Sequence, residues 1–346
     1  MTTTEQAGAA PTAIHIEERS LVEVLDGIGP YTVAYNDPPW SRIADRVRPP
    51  SSAVEAWEMD LAHLERLARD TTVAPTVVGV GGGTALDTAK FLAWKHEARL
   101  VQVPTITSVD AGFTDAIGVR VDGKVRYIGR IMPDHVVLDI PLVQTAPRRL
   151  NRAGVGDILS CHTGLHDWRA ARAAGREDRW SDDLVTLGET LLADLEAVAP
   201  EIRAVSAEGV RHLAHAYRSI GAACATARHS RFEEGSEHFW AYCYEQRTGA
   251  HQLHGELIAF AVVAMSAVQA NDPEWAASVV ARAGVRAHPA DLGITRDQFA
   301  ESLIGLREYA RAERLDISIA DLRDLSAADV AAGWDAASAL PRVAAE

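Results

Sequence analysis

Three histidines lie close together in the segment GSEHFWAYCYEQRTGAHQLHGE (235–256), and histidine is a common metal ligand. They are His238, His251 and His254, in a chain with 13 histidines among 346 residues. A catalytic zinc or iron site needs three nitrogen or oxygen ligands and one open position. A Thr-Gly pair before His251 predicts that no helix joins it to His254, so His251 is not expected to share a helix face with it. His238 and His254 must come from two elements or from a helix and the next turn, and a third ligand must come from elsewhere.

Candidates for the third ligand stand in AGVGDILSCHTGLHDW (153–168). Asp157 follows two glycines at a predicted helix start, where the helix dipole favours a carboxylate and where it could equally serve as an N-cap. His162 and His166 follow at helical spacing and compete for the same role. Spacing alone therefore leaves the ligand set open, and lone histidines are more often structural than metal ligands.

A glycine turn, GVGGGTALDTAK (79–90), follows one predicted strand and opens a helix. Consecutive glycines let the backbone approach an anion, and a helix start offers unpaired N–H groups, so a phosphate is the expected ligand. The standard G-x-G-x-x-G fingerprint is not met, because Thr84 stands at its last glycine position. The alternative is a plain turn in which Thr84 and Asp87 form a capping box.

Polar residues follow two other predicted strands, at the edge where α/β proteins bind ligands. The segment VPTITSVDAGFTD (103–115) offers hydroxyl and carboxyl groups for a sugar or a diol, or else forms a solvated turn. These groups belong to Thr105, Thr107, Ser108 and Asp110. The exit of the first strand, YNDPPW, carries Asp37, which suggests NAD through a contact with a ribose hydroxyl.

Two kinds of sequence divide the chain near residue 145. Before it, apolar β-rich runs alternate with helical patterns, which predicts a mainly parallel sheet with helices on its faces. Strands are expected at 31–35, 75–80, 99–105 and 135–140, helices at 59–70 and 81–94, and a hairpin at 119–129 that turns at Asp122-Gly123. After it, helical periodicity takes over at 152–173, 182–197, 207–228, 254–270, 273–283 and 296–313. We predict an α/β nucleotide-binding domain over 1–145 and an all-helical metal- and substrate-binding domain over 146–346, with the ligand site in the cleft between them.

Composition excludes several classes of protein. A net charge of −14 argues against a nucleic-acid surface. Three cysteines without a CxxC pair imply no disulfide framework and favour the cytoplasm. The first 20 residues do not read as a signal peptide, and the apolar run 257–268 is too short to span a bilayer and predicts a buried helix. The expected partner is a small-molecule substrate, with a homo-oligomer possible.

Five blocks taken in order, GGGTALDTAK, PTITSVDAGFT, AGVGDILS, GSEH and LHGE, resemble the glycerol-1-phosphate dehydrogenase family. This family belongs to the larger group of iron-containing alcohol dehydrogenases and dehydroquinate synthases, and the likeness covers about residues 25–270. It implies a dehydroquinate synthase-like fold. It also implies hydride transfer between NAD or NADP and a small, phosphorylated hydroxyketone or its alcohol, with one divalent metal, zinc first and iron or nickel as alternatives.

The resemblance implies roles for the matching residues. The metal ligands would be Asp157, His238 and His254, and Asp110 would complete the catalytic set. Substrate would contact Asp110, Asp157 and Tyr242. The cofactor residues would be Gly81, Gly82, Gly83, Thr84, Asp87, Lys90, Thr105, Ser108 and Thr114, to which the first strand adds Asp37.

Two positions depart from the family pattern. Ala111 replaces the glycine that follows the substrate aspartate, and Tyr242 replaces a histidine four residues after His238. At that helical spacing Tyr242 shares a face with His238 and points into the same site. In the family that histidine helps to hold the substrate, so Tyr242 is expected to influence substrate choice.

Two alternatives start from the same blocks. A dehydroquinate synthase-like cyclase would use NAD transiently and return it unchanged, but the segment 235–246 lacks the pattern that those cyclases carry around this ligand. A non-catalytic paralogue would keep the fold and bind a nucleotide or a partner. The complete set of three ligand matches argues against it.

Overall fold

Parallel strands open the fold of this computed structural model, which describes residues 14–344. In that part of the chain one sheet contains β1 (His15–Glu17), β2 (Tyr31–Tyr35), β3 (Ser52–Glu55), β4 (Thr76–Gly81), β5 (Arg99–Pro104) and β8 (His135–Val137). Their order is β1-β8-β5-β4-β2-β3, and all pairs are parallel. Valines such as Val78 and Val103 are fully buried in the central strands, because helices and loops cover both faces.

A separate antiparallel hairpin stands beside this sheet. It pairs β6 (Ala116–Val121) with β7 (Lys124–Arg130). Asp122 and Gly123 at its tip have φ values of 52° and 76°, as a two-residue hairpin turn requires. The predicted hairpin and its turn are therefore confirmed.

Three helices connect the strands of the sheet. They are α1 (Leu21–Gly27), α2 (Leu61–Asp70) and α3 (Gly83–His96). Helix α2 begins where the Asp60 side chain accepts hydrogen bonds from the N–H groups of Ala62 and His63. Helix α3 crosses between the parallel strands β4 and β5, and most of its residues are buried.

The remainder of the described chain is helical. Its helices are α4 (Ile140–Gln144), α5 (Arg148–Arg152), α6 (Val155–Leu159), α7 (Cys161–Ala173), α8 (Asp182–Ala204), α9 (Ala207–Ala227), α10 (Ser236–Thr248), α11 (His254–Gln269), α12 (Pro273–Ala283), α13 (Pro289–Leu292), α14 (Arg296–Ile304), α15 (Leu306–Glu313), α16 (Ile319–Leu322) and α17 (Ala327–Ser338). Helix α11 is buried on nearly all sides and packs against α6, α10, α12 and α17. The apolar run 257–268 is thus a buried helix, as predicted.

Several elements differ from the sequence prediction. The short edge strands β1 and β3 and the helix α1 were not predicted, because the strands bury few residues and α1 has only seven residues in which to show a period. The expected strand 135–140 ends at Val137, and a helix starts at Ile140. The expected helix 152–173 is broken near Gly154 and Ser160, and 296–313 is broken at Gly305.

The predicted fold class is confirmed: a parallel sheet comes first and a helical remainder follows it. The boundary between domains 1–145 and 146–346 stays a prediction. Residues 1–13, on which much of the signal-peptide prediction depends, lie outside the described residues. No helix within 14–344 combines the length and the apolar character needed to cross a membrane.

Candidate functional site

Three side chains from three helices meet in the cleft. Asp157 lies in the first turn of α6, His238 in α10, and His254 is the first residue of α11. One potential ligand atom from each lies within 4.8 Å of the other two. His254 Nε2 is 3.4 Å from Asp157 Oδ1, and the two imidazole rings are 5.4 Å apart. The geometry therefore brings together the three residues that the resemblance implies as metal ligands.

Glycines allow the helices that carry these residues to touch. A Cβ atom at Gly156 would lie 2.2 Å from the carbonyl oxygen of Gly255, and one at Gly255 would lie 2.0 Å from the carbonyl oxygen of Ala153. Helices α6 and α11 thus meet backbone to backbone, one residue away from Asp157 and His254. The glycines in the blocks AGVGD and LHGE have no side chains that would hold the two helices apart, so Asp157 and His254 can come close together.

Glu237 fixes the orientation of the His238 ring. Glu237 Oε1 lies 2.9 Å from His238 Nδ1 and also accepts a hydrogen bond of 2.7 Å from the backbone N–H of Gly235. Both Glu237 and His238 are buried. A carboxylate on one imidazole nitrogen leaves the other nitrogen as the ligand atom, an arrangement typical of metal-binding histidines.

An unsatisfied carboxyl oxygen supports a cation at this position. Asp157 Oδ1 is buried and has no hydrogen-bond partner, and such orphaned atoms are rare in folded proteins. Burial raises the pKa of Asp157 to about 7, against the lowering effect of His238. A divalent cation would supply the missing partner and favour the carboxylate. The donor set of two imidazoles and one carboxylate suits zinc or iron.

The pKa values of His238 and His254 are shifted in opposite directions. Burial lowers the pKa of His238, but its hydrogen bond to Glu237 and the nearby charge of Glu234 outweigh burial and raise the pKa to about 9. Partial burial and the charge of His238 lower the pKa of His254 to about 4, so His254 is neutral at pH 7. A neutral imidazole is the form that binds a metal, so metal binding at His238 would release a proton from that ring.

The glycine turn opens onto the same cleft. Gly82 is the N-cap of α3 and has no side-chain cap, and its N–H donates a 3.0 Å hydrogen bond to Asn36 Oδ1. A cavity of about 420 Å³ runs from this turn to His254, the first residue of α11. The predicted cofactor residues that line it are Asp37, Gly82, Gly83, Thr84, Thr105 and Ser108. The cavity at the predicted cofactor turn therefore reaches one of the three candidate ligands, His254, which also lines the pocket that holds Asp157 and His238.

One alternative for this turn is corrected, and the cofactor role of Gly81 stays a prediction. The alternative capping box of Thr84 and Asp87 is wrong, because the helix starts at Gly83 and Thr84 already lies inside it. Gly81 does not line the cavity. It has φ 154°, and a Cβ there would lie 2.4 Å from Asn36 Oδ1, so Gly81 shapes the turn from behind.

Lys90 is fully buried and fastens α3 to the start of β6. Its Nζ lies 2.9 Å from Asp87 Oδ1, 3.1 Å from Thr114 Oγ1 and 2.7 Å from the carbonyl oxygen of Ala116. Burial raises the pKa of Asp87 although Lys90 opposes the shift. The side chains of Asp87, Lys90 and Thr114 line a second cavity of about 270 Å³, which also reaches Thr84 and His254.

Asp110 and Tyr242 flank the three candidate ligands. Asp110 lines the 270 Å³ cavity and also a pocket of about 180 Å³ that contains Asp157, His238 and His254. Tyr242 has its ring 6.0 Å from that of His238, as the four-residue spacing predicts, and its hydroxyl donates to Glu234 Oε1 at 3.3 Å.

Ala111 lies against the glycine turn. A Cβ atom built on Gly83 would lie 3.9 Å from its methyl group. Asp37 accepts hydrogen bonds from the N–H and hydroxyl of Ser41, at 3.0 and 2.7 Å, at the rim of the 420 Å³ cavity.

The remaining candidates lie elsewhere. His251 is exposed between α10 and α11, as the Thr-Gly pair predicts. His162 Nε2 bonds the carbonyl oxygen of Asn271 at 2.7 Å, and His166 follows on the same helix, α7. Thr107 is held by Asn151 through its N–H and hydroxyl.

Sequence reasoning missed two features. Glu233 and Glu234 line the 180 Å³ pocket, and the only sequence signal was their position directly before GSEH. Among the described residues a second group of possible ligands, His15, Glu17 and His135, stands at the sheet edge formed by β1 and β8. It is more exposed than the group in the cleft, and Glu17 also lies 3.7 Å from Arg19.

Comparisons with known proteins identify the family and the fold. A family model described as iron-containing alcohol dehydrogenase matches residues 41–147. The glycerol-1-phosphate dehydrogenase [NAD(P)+] of Pyrobaculum islandicum is 31% identical over 258 residues, which cover 73% of this chain and 74% of that protein. The enzyme of the same name from Hyperthermus butylicus is 27% identical over 294 residues, covering 84% and 81%.

Solved structures share the fold. A probable glycerol dehydrogenase from Sinorhizobium meliloti matches with a TM-score of 0.73 and 22% identity over 96% of this chain and 98% of that chain. A glycerol dehydrogenase from Schizosaccharomyces pombe matches with a TM-score of 0.66 and 18% identity over 91% and 87%. The fold is thus that of the iron-containing alcohol dehydrogenases. Within that class, the chain belongs to the glycerol-1-phosphate dehydrogenase family, as the sequence blocks imply.

Proposed function

We propose that this protein is a metal-dependent, NAD(P)-linked oxidoreductase that interconverts a small hydroxyketone and its alcohol by hydride transfer. The observation that carries the proposal is the meeting of Asp157, His238 and His254 in one cluster, whose member His254 also lines the cavity that begins at the glycine turn. A cofactor bound at that turn would extend toward the candidate metal ligands. Membership of the family supports the NAD(P) and the divalent metal.

Four residues would form and orient the metal site. Asp157, His238 and His254 would hold the metal, with Glu237 orienting the His238 ring. When bound, the metal supplies a Lewis acid for the substrate oxygen, and the nicotinamide exchanges a hydride with the substrate carbon.

Other residues would bind the cofactor and orient the substrate. The backbone of the turn at Gly82 and Gly83 would bind the diphosphate of the cofactor, and Thr105 and Ser108 would lie beside the nicotinamide. Asp110, which lines the same pocket as the three ligands, would orient a substrate hydroxyl.

The relatives named above carry glycerol-1-phosphate in their names, so polyol phosphates and their ketones are the first compounds to test. Zinc is the first metal to test, with iron and nickel as alternatives. Asp37 favours NAD over NADP. We also propose that the two domains meet at residue 145, that the protein works in the cytoplasm, and that homo-oligomers are worth measuring by light scattering.

The test measures NAD(P)H turnover on small hydroxyketones together with bound metal on the same sample, for His254→Ala and for His251→Ala. His251 is exposed only three residues away and provides the matched control. We expect His254→Ala to lose metal and turnover while NAD(P) binding, measured by fluorescence, persists, and His251→Ala to resemble the wild type. Full activity in His254→Ala would overturn the ligand assignment.

The second group at the sheet edge could confuse the metal count. His15→Ala, measured alongside, separates the two groups, because it leaves the cleft intact. A cyclase would release phosphate or another leaving group without net change in NADH, which the same assay detects.

A further inference from the structure

A second group of possible metal ligands lies at the edge of the parallel sheet. His15, Glu17 and His135 each offer one ligand atom, and these atoms all lie within 4.8 Å of one another. We call these three residues the edge cluster. None of them lines the cavities of 180, 270 and 420 Å³ in the cleft. Two imidazoles and one carboxylate form a ligand set that suits transition metals such as zinc.

The register of two parallel strands places these side chains on one face. Strands β1 and β8 pair directly, with His15 opposite His135. Side chains alternate between the two faces of a sheet along each strand, so residues two apart project from the same face. Glu17 stands two residues after His15 and therefore shares its face. The edge cluster is thus positioned by regular strand geometry.

The carboxylate of Glu17 lies between the two imidazole rings. Its Oε1 is 3.2 Å from His135 Nδ1 and 3.6 Å from His15 Nε2, and the ring centroids are 5.7 Å apart. A tetrahedral zinc ion with bonds of about 2.1 Å needs ligand atoms about 3.4 Å apart. Small rotations of these partly exposed side chains would bring all three atoms to that spacing.

One ring nitrogen of the edge cluster lacks a partner. His135 Nδ1 is buried and makes no hydrogen bond to any described residue, although Glu17 Oε1 lies close to it. Orphaned buried polar atoms are rare in folded proteins. An ion bound between His135 and Glu17 would give this nitrogen a partner. This observation therefore points to a ligand in addition to the clustering itself.

The charges beside the edge cluster do not oppose a cation. Glu17 Oε2 lies 3.7 Å from Arg19, which is also 3.8 Å from Glu23, and Arg99 lies 3.8 Å from Asp134. Each arginine thus faces a carboxylate, and such long, exposed ion pairs are weak. Three carboxylates stand against two arginines here, so the surroundings carry a net negative charge before an ion binds.

A cavity of about 230 Å³ adjoins the edge cluster. Glu17 and His135 line it together with apolar residues such as Val137. Structural zinc sites surround the ion with four protein ligands, whereas three protein ligands leave one position for water or a small anion. The cavity provides space for that further ligand, so we expect an exchangeable ion at this site.

We propose that the edge cluster binds one divalent transition-metal ion, zinc first, which joins β1 to β8. Strand β1 has three residues and lies at the edge of the sheet with β8 as its neighbour. Because the ligands come from both strands, the ion would fasten this edge. The site goes beyond the proposed function and does not depend on it.

A zinc titration of the full-length protein tests the ligands. Bound Zn²⁺ is measured against free Zn²⁺ after chelator treatment, for wild type, His15→Ala, His135→Ala and the control His251→Ala. Loss of a partner that only orients a metal ligand weakens binding about 10- to 100-fold, so loss of a ligand should cost at least tenfold. We expect both edge variants to lose one zinc site at concentrations that fill the wild type, and the control to retain it. An unchanged zinc-binding curve in either edge variant would overturn the proposal.

A conservative variant tests the carboxylate. Glu17→Gln keeps the size of the side chain and removes the anionic ligand, so it should weaken zinc binding at the edge by about tenfold or more. Wild-type zinc affinity in this variant would contradict the role of Glu17. With the cleft loaded, His15→Ala should keep wild-type turnover, and a loss of turnover would contradict the separation of the two sites.

Hydrogen–deuterium exchange locates the ion and separates this proposal from the proposed function. Exchange of the segments 14–19 and 134–138 is followed with and without Zn²⁺ in wild type, His254→Ala and His15→Ala. We expect zinc to slow exchange of both segments in wild type and in His254→Ala, but not in His15→Ala. No slowing in wild type, or equal slowing in His15→Ala, would overturn the edge site. Absence of turnover with every ketone would instead contradict the proposed function.

Discussion

The two walls of the cleft are built by different means. On the wall proposed for the cofactor, the turn from β4 into α3 consists of glycines, and its geometry comes from backbone atoms. On the wall proposed for the metal and the substrate, α6, α10 and α11 present side chains such as His238 and Tyr242. A backbone surface binds what all members of a superfamily share, whereas side chains can be exchanged one at a time. The first wall therefore depends on backbone geometry, and the second depends on individual side chains.

The largest loss of activity is expected from a substitution at the contact between α6 and α11, because this contact positions Asp157 and His254. Gly156→Ala would place a methyl group 2.2 Å from the carbonyl oxygen of Gly255 and force α6 away from α11. Because a displacement of about 1 Å at a reacting centre can cost on the order of 100-fold, we expect kcat to fall by about that factor and metal content to fall with it. Gly27→Ala, where a methyl meets no atom within 4 Å, is the control and should behave as the wild type. Normal metal content in Gly156→Ala would refute this packing account.

A smaller effect is expected on the cofactor wall. In Gly81→Ala the new side chain would have to adopt φ 154° and would lie 2.4 Å from Asn36 Oδ1. The distorted turn should raise KM for NAD(P)H by about tenfold, which corresponds to about 1.4 kcal/mol of lost binding. Metal content should not change. If steady-state kinetics show an unchanged cofactor KM, the turn does not bind the diphosphate.

The smallest effect should come from a single hydroxyl on the substrate side. Tyr242→Phe removes the 3.3 Å hydrogen bond to Glu234 and keeps the ring beside His238. Tyr242 is expected to contact the substrate, and one hydrogen bond contributes about 1 kcal/mol, so the substrate KM should rise about fivefold while the cofactor KM stays constant. A change in the cofactor KM with an unchanged substrate KM would contradict the assignment of Tyr242 to the substrate side of the cleft.

These two walls were also unequally visible in the sequence. The β4 strand and the glycines after it form one continuous stretch of sequence, so the position of this turn was predicted directly, and its phosphate ligand stays a prediction. The strand runs at 31–35 and 99–105 were equally clear, because parallel strands buried on both faces are rich in valine. Short edge strands such as β3, with one buried residue, give no such signal.

The side-chain wall depends on contacts between distant segments. Asp157, His238 and His254 lie in three helices, and spacing could not choose among them, His162 and His251. The family resemblance implied these three residues as ligands, and the structure brings their side chains together. That they bind a metal stays a prediction. Glu233 and Glu234 could not be assigned to a pocket, because a charged pair before a helix is usually a solvated cap.

Metal dependence is the central claim, and chelation followed by titration tests it most directly. The wild-type enzyme is stripped with a chelator, and Zn²⁺ is then added stepwise while NAD(P)H turnover and bound metal are measured on the same sample. We predict no turnover without metal and full recovery when the cleft holds one ion per chain, with His15→Ala recovering at the same point. Full turnover by the metal-free protein would contradict the account.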